Sequence, residues 1–236
     1  MNNSYKKFAY YYDEVMSELD YYSWVEFTLN YLKPQDKILD LACGTGTFLT
    51  MLKLKGYDCY GLDLSEEIIE IANEKRKINH LDIDFKVANM IDFKYDIKFD
   101  CITCFFDSIN FLNNKNDLSK MLNNIYNHLN PNGYFIFDIA SKTLFDEYDN
   151  SNINKDYGNF KIDWITKKTS PKSLKHTISI KEFDEEFKET YFEYFYDLKD
   201  LKSNKFKLIQ LSGDFNDDLE PEDERILVVY QKQTNI

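Results

Sequence analysis

The sequence predicts an α/β fold: a doubly wound, mostly parallel sheet of seven strands, with an antiparallel β insertion before the last strands. Three observations predict it. Between residues 37 and 139, short apolar runs alternate with stretches of helical spacing, which favours parallel strands joined by right-handed crossovers. After Ser141 the period changes to apolar–polar alternation, the pattern of an antiparallel sheet with one solvated face. Two further apolar runs, at 206–211 and 225–230, complete the main sheet. The expected organisation is a core of residues 1–141 and 197–236 carrying an inserted β subdomain of residues 142–196.

Each element has its own signal. Residues 4–33 place Tyr, Phe, Trp and Leu at helical spacings, and Pro34 ends that helical stretch. Lys37-Ile-Leu-Asp-Leu-Ala42 follows a turn and reads as a buried strand. Thr47 to Lys55 is helical through Phe48, Leu49, Met51 and Leu52, with Gly56 as C-cap. Asp58–Asp63 is the second strand, and Ser65 caps a helix running towards Asn79. Asp84–Val87 and Phe99–Cys104 are the third and fourth strands. A helix from about Lys115 to Leu129 stops before Pro131-Asn132-Gly133, and Tyr134–Ile139 is the fifth strand. In the insertion, Phe160–Trp164, Thr177–Phe183 and Tyr191–Tyr196 are the alternating runs, and Asp197 is placed to cap a short helix through Lys202.

Composition excludes several classes. There are 41 acidic against 29 basic residues, a formal charge of −12, which opposes nucleic acid and anionic membrane surfaces. No stretch approaches the ~20 apolar residues needed to span a bilayer. The N-terminal segment lacks the apolar run of a secretory signal. Cys43, Cys59, Cys101 and Cys104 therefore read as reduced thiols, and a cytoplasmic location is expected. Cys101 and Cys104 form C-x-x-C, but on a strand residues three apart point to opposite faces, so a redox or metal role is not expected. His80, His128 and His176 have no paired spacing, and Asp184-Glu185-Glu186 reads as a solvated turn.

The informative stretch is Ile38-Leu-Asp-Leu-Ala-Cys-Gly-Thr-Gly-Thr47, a strand running into a G-x-G turn that opens a helix. Gly44 and Gly46 allow a sharp turn and close approach of a ligand to the main chain. The free N–H groups of a helix start favour an anionic group. A bare G-x-G is equally compatible with a structural turn. Asp63 strengthens the ligand reading: it ends the second strand about 20 residues beyond Gly44, where an acid accepts both hydroxyls of a ribose. The capping role at this helix start belongs to Ser65. Asp40 lies inside the first strand, where a carboxylate needs a partner. It either braces the loop or meets an ammonium group of the ligand.

These residues resemble a family. Ile38–Thr47 is similar to the first motif of the class I S-adenosylmethionine-dependent methyltransferases, and Gly61-Leu-Asp-Leu-Ser65 to their second. Val87-Ala-Asn-Met-Ile-Asp92 resembles the end of the third strand, with Asn89 where the family usually has Asp. Phe99–Leu112 and His128–Asp138 resemble the fourth and fifth strands, and the resemblance covers roughly residues 4–140. It implies a Rossmann-like methyltransferase fold with S-adenosyl-L-methionine as cofactor. The implied cofactor positions are Asp40, Ala42, Gly44 and Gly46, then Asp63 and Leu64, Asn89 and Met90, and Cys104 and Phe105. The N-terminal Tyr5–Asp13 and Asp20–Trp24 resemble the subgroup with small-molecule acceptors and a lid helix. There Tyr5, Tyr12 and Trp24 match residues that close over the methionine part of the cofactor; an aromatic face packed on the core is the alternative.

For the acceptor, Phe106, Asp107 and Asn110 follow the fourth strand directly. Asp107 either orients or deprotonates an acceptor, or caps the next turn. Tyr191 and Tyr194 stand where related enzymes often show His and Arg, which suggests an aromatic pocket for an apolar or cationic amine. The expected reaction is methyl transfer to an N or O atom of a small molecule, by a monomer or homodimer. It needs alignment and exclusion of water, not a metal or a covalent nucleophile, and no residue is assigned as catalytic base. Two other readings stand beside it. A nicotinamide or nucleotide-sugar dinucleotide enzyme uses the same sheet, but Leu49 occupies its third glycine position. The other is a cofactor-binding module without catalysis.

Overall fold

The structure, a computed structural model, describes residues 5–233; expectations for residues 1–4 and 234–236 lie outside the described residues. In chain order the core elements are α1 (Tyr12–Val15), α2 (Tyr21–Leu29), β1 (Lys37–Leu41), α3 (Thr47–Leu54), β2 (Asp58–Asp63), α4 (Glu66–Ile78), β3 (Asp84–Val87), β4 (Phe99–Cys104), α5 (Lys115–His128) and β5 (Leu129–Ala140). They are followed by α6 (Lys142–Glu147), β6 (Asn152–Asp156), β7 (Phe160–Ser170), β8 (Ser173–Glu182) and β9 (Glu185–Tyr194). The chain closes with β10 (Phe206–Gly213) and β11 (Arg225–Lys232).

The main sheet has seven strands in the order β10-β11-β5-β4-β1-β2-β3. Pairing is parallel from β3 to β5, and β11 and β10 add antiparallel to β5. Successive strand side chains face opposite sides, so one sequence supplies two cores. Leu39, Ile102 and Phe135 pack with Leu118, Met121 and Ile125 of α5 on one face. Ile38, Cys101 and Ile136 pack with Phe48, Leu49 and Leu52 of α3 and Trp24 and Val25 of α2 on the other. The two cysteines of C-x-x-C accordingly lie in different cores, Cys104 in the first and Cys101 in the second, both as free thiols. Gly61 makes the tight fit of α3 on β2 possible: a Cβ there would stand 2.8 Å from both Leu49 and Phe85.

The insertion is an antiparallel sheet, β6-β7-β8-β9. Its inward face, Phe160, Ile162, Ile178, Ile180 and Tyr191, buries Phe8 of the N-terminal segment in a third core. Among the described residues, no helix is long and apolar enough to cross a membrane.

Several boundaries differ from the sequence expectation. The stretch 4–33 is not continuous: a 3₁₀ turn at Lys7–Tyr11 and the single turn α1 precede a break, and α2 starts only at Tyr21. Asp20 makes that break, its Oδ1 accepting the N–H groups of Tyr22 and Ser23. β1 stops one residue early because Ala42 turns to φ 53°. β5 starts at Leu129, which pairs with Phe99 across the Pro131–Gly133 bend. The insertion strands are longer than expected, Glu185 and Glu186 belong to β9, and α6 and β6 lie in a stretch with no apolar signal. Asp197 and Asp200 do form a capping box, around a 3₁₀ turn at Leu198–Asp200.

Candidate active site

Parallel strands end on one side of their sheet, and the loops leaving β1, β2 and β4 gather there. They open a cavity of about 340 Å³ that continues to the inward face of β7, β8 and β9.

The glycine-loop end is built from main chain. Gly44 and Gly46 adopt φ 55° and 79°, and the loop turns into α3. The Asp63 carboxylate binds this turn to the next one: Oδ2 accepts the Gly44 N–H at 3.2 Å and Oδ1 the Ser65 N–H at 3.0 Å. Ser65 caps α4 through Ile68 N–H and donates its hydroxyl to the Tyr5 carbonyl at 2.5 Å, tying the N-terminal segment to the loop. Asp40 accepts the Thr103 hydroxyl at 2.6 Å. Burial pushes its carboxyl up to about 7, with the nearby Asp63 charge adding to the shift. Burial also raises Asp63, against its backbone hydrogen bonds. A buried and a half-buried carboxylate beside an apolar-walled cavity fit a ligand that brings a cation to one and hydroxyls to the other.

Twelve of the residues singled out in the sequence line this cavity. Asp40, Ala42, Gly44, Asp63 and Leu64 come from the first two strand ends, and Asn89 and Met90 follow β3. Phe105, Phe106 and Asp107 follow β4, and Tyr5 and Tyr12 close from the N-terminal segment. The Asn89 amide oxygen accepts the Ile91 N–H at 2.9 Å. Phe106 and Asp107 both adopt left-handed backbone, φ 57° and 49°, a costly arrangement for side-chain-bearing residues that concentrates at functional sites.

Six others do not line it. Trp24 is a core residue, packed against Phe105, Phe106 and Phe215 with ring centroids 4.7–4.8 Å apart. Gly46 lies behind the loop over Phe85, and Cys104 is in the first core. Asn110 is structural: its amide donates to the Tyr194 carbonyl at 3.0 Å and accepts from Ala140 N–H at 3.2 Å. Tyr194 packs on the first core. Tyr191 is buried against Tyr5, ring centroids 4.7 Å apart, and bonds to Glu189. Both insertion tyrosines therefore serve packing: Tyr191 is covered by Tyr5, and Tyr194, on the opposite face of β9, turns to the first core.

At the insertion end, Glu193 and Arg225 went unread in the sequence, and His176 was set aside for want of a paired spacing. His176 of β8 and Glu193 of β9 are both buried and face the cavity, with Trp164, Thr166 and Tyr148 around them. Their signal was an interrupted alternation: Leu174, His176, Ile178 and Ile180 share one face, as do Tyr191 and Glu193, so two polar groups sit in the apolar phase. Arg225, at the start of β11, reaches the same end. Its Nη1 stands 2.8 Å from Asp138 and 3.5 Å from Asp107. Burial works against the guanidinium charge, but Asp107 and Asp138 outweigh it and hold Arg225 ionised. Asp107 is no side-chain cap; its N–H donates to Asp138 at 3.0 Å and its carboxylate turns to Arg225.

A family model for a methyltransferase domain matches residues 38–133. A protein of Geobacillus sp. (strain WCH70) assigned as a methyltransferase is 28% identical over 246 residues, covering 97% of this chain and all of that one. A crystal structure of an S-adenosylmethionine-dependent methyltransferase from Clostridium acetobutylicum ATCC 824 superposes with TM-score 0.84 at 28% identity, over 97% of this chain and 98% of that one. A dTDP-3-amino-3,4,6-trideoxy-alpha-D-glucopyranose N,N-dimethyltransferase from Streptomyces venezuelae is 30% identical over 101 residues, 43% of this chain and 41% of that protein. With the seven-stranded sheet and the strand-end cavity, these likenesses place the chain among the class I S-adenosylmethionine-dependent methyltransferases. It is an S-adenosylmethionine-dependent methyltransferase enzyme.

Proposed function

We propose that this enzyme methylates a nitrogen atom of a small-molecule amine. One observation carries the reading: a single cavity runs from the glycine loop to an end walled by Glu193, Asp107 and Arg225. At that end two carboxylates face one guanidinium already paired with Asp138, an environment that favours a cationic acceptor over a neutral alcohol.

Residues 1–141 and 197–236 would hold the cofactor and residues 142–196 the acceptor. Asp63 would take the ribose hydroxyls, the Gly44 turn would admit the chain of the ligand, Leu64 and Met90 would flank the base, and Asp40 would face its positive groups. When bound, S-adenosyl-L-methionine supplies a methyl group already activated on a sulfonium. The protein's share is to align and to exclude water, for which Tyr5, Tyr12, Phe105 and Phe106 form an aromatic wall. The likeness to an amino-sugar N,N-dimethyltransferase supports nitrogen as the atom methylated.

A panel of amines and their hydroxy counterparts, assayed for S-adenosylhomocysteine release, tests this reading. Turnover is expected with amines. Turnover confined to hydroxy compounds would overturn the choice of nitrogen.

A further inference from the structure

Two polar atoms in the wall of the insertion end have no hydrogen-bond partner although they are buried: His176 Nε2 and Glu193 Oε2. Both residues line the cavity, at 3% and 5% exposure. Leaving such atoms unmatched is costly, so the pair is arranged for something that enters.

The network fixes what each atom offers. Trp164 Nε1 donates to His176 Nδ1 at 3.2 Å, and an indole N–H can only donate. The Thr166 hydroxyl meets the same nitrogen at 2.9 Å. Nδ1 is therefore the acceptor of the ring, and the proton of the neutral imidazole sits on Nε2. His176 Nε2 stands 3.3 Å from Glu193 Oε1 without making a hydrogen bond to it. A neutral imidazole protonated at Nε2 takes no proton there. Of the two side chains, both of which line the cavity, the carboxylate is the one with an unmatched lone pair.

We infer that Glu193 Oε2 anchors the ammonium form of the amine substrate and removes its proton, with His176, Trp164 and Thr166 as positioning residues. The inference rests on the amine-methyltransferase reading above. An amine that is protonated in solution has no lone pair to give. At Oε2 one N–H bond breaks, its electron pair stays on nitrogen and the proton makes the neutral carboxylic acid, which returns it to water when product leaves. Burial raises the Glu193 carboxyl above its ordinary range, and the Asp107 charge adds to this; His176 and Arg225 pull the other way. The other titratable groups facing it are Tyr148 and Tyr5, both kept neutral by burial. A raised carboxyl is the better matched to take a proton from an amine.

Calorimetry with cyclohexylamine and its neutral isostere cyclohexanol, each in the presence of S-adenosylhomocysteine, tests this without turnover. The wild-type protein is expected to prefer the amine at least tenfold at pH 7, and to lose the preference as pH falls and Glu193 is protonated. Glu193→Gln should abolish both the preference and its pH dependence. His176→Gln, which keeps a side-chain N–H donor, should retain the preference, and His176→Phe should shift its pH profile. S-adenosylhomocysteine affinity, measured first in each variant, reports folding and the cofactor site separately. Its loss in the wild type would strike the underlying reading instead. Equal affinity of wild type for amine and alcohol, no binding of either, or a preference that survives Glu193→Gln in a protein that still binds S-adenosylhomocysteine overturns the inference.

Discussion

The two ends of the cavity are built from different materials. At the glycine-loop end, Asp63 receives two backbone N–H groups from residues near it in the fold's first two turns, and Asp40 one hydroxyl from the neighbouring strand. At the insertion end, side chains hold side chains: Trp164 to His176, His176 to Glu193, Arg225 to Asp138 and Asp107. A main-chain scaffold survives sequence change because every residue but proline carries an N–H. A side-chain network changes with each substitution. The first end can thus be common to a family with many acceptors, while the second, on the function proposed above, would be the end that distinguishes one acceptor from another.

The contrast can be tested, beginning with its largest effect. Asp138→Ala removes the closest partner of Arg225 and the acceptor of Asp107 N–H, and should destabilise the protein by about 3–5 kcal/mol in urea denaturation, as removing one partner of a buried pair does. A loss below about 1 kcal/mol would mean that the insertion end is not held by this network.

Asp40 gives a pH signature of the opposite end. Its folded-state carboxyl lies near 7 against an ordinary 3.8, so between these values the folded protein holds a proton that the unfolded chain releases. The stability of the cofactor-free protein should therefore fall as pH rises through this window, by on the order of 4 kcal/mol from this group. Asp40→Asn should flatten the fall when denaturation at pH 5 is compared with pH 8. An unchanged slope would show that Asp40 is ionised throughout.

Asp63→Ala should weaken S-adenosylhomocysteine binding by about 1–3 kcal/mol in calorimetry, the worth of one or two hydrogen bonds to a charged group. Unchanged affinity would remove Asp63 from the cofactor site. The smallest effect concerns the strap over both ends. Glu189 of β9 accepts the N–H groups of Lys6, Lys7 and Phe8, the nearest at 2.7 Å, in a half-exposed setting. Glu189→Ala should cost about 1–2 kcal/mol of stability and raise amide exchange at Lys7 and Phe8.

What could be read from the sequence follows the same division. The loop Ala42–Thr47 and Asp63 were legible because their chemistry is local: a strand, a tight turn and an acid at the next strand end lie within one βαβ unit. The strands of the main sheet were legible for a related reason, since burial on both faces leaves mostly apolar runs such as Ile38–Leu41 and Cys101–Cys104, each broken by one polar residue. His176, Glu193 and Arg225 come from three strands separated by long intervals, and only the register of β8 on β9 and the turn of β11 toward Asp138 bring them together. Trp24 and Tyr191 misled because an aromatic on an amphipathic stretch carries the same signal whether it faces a ligand or a core. Asp20, a cap inside an aromatic run, was masked by the hydrophobic spacing on both sides of it.

The Glu189 strap also sets an order of assembly. It joins residues 6–8 to a side chain more than 180 positions later, across almost the whole chain. On the ribosome, residues 6–8 emerge well before Glu189, so their anchor is made only once β9 has been synthesised. Contacts of such sequence separation form late, because the loop between them must close before they return any stabilisation. The segment that covers the cavity is thus made early and fastened late, after the strands β1, β2 and β4 whose ends it covers have been synthesised.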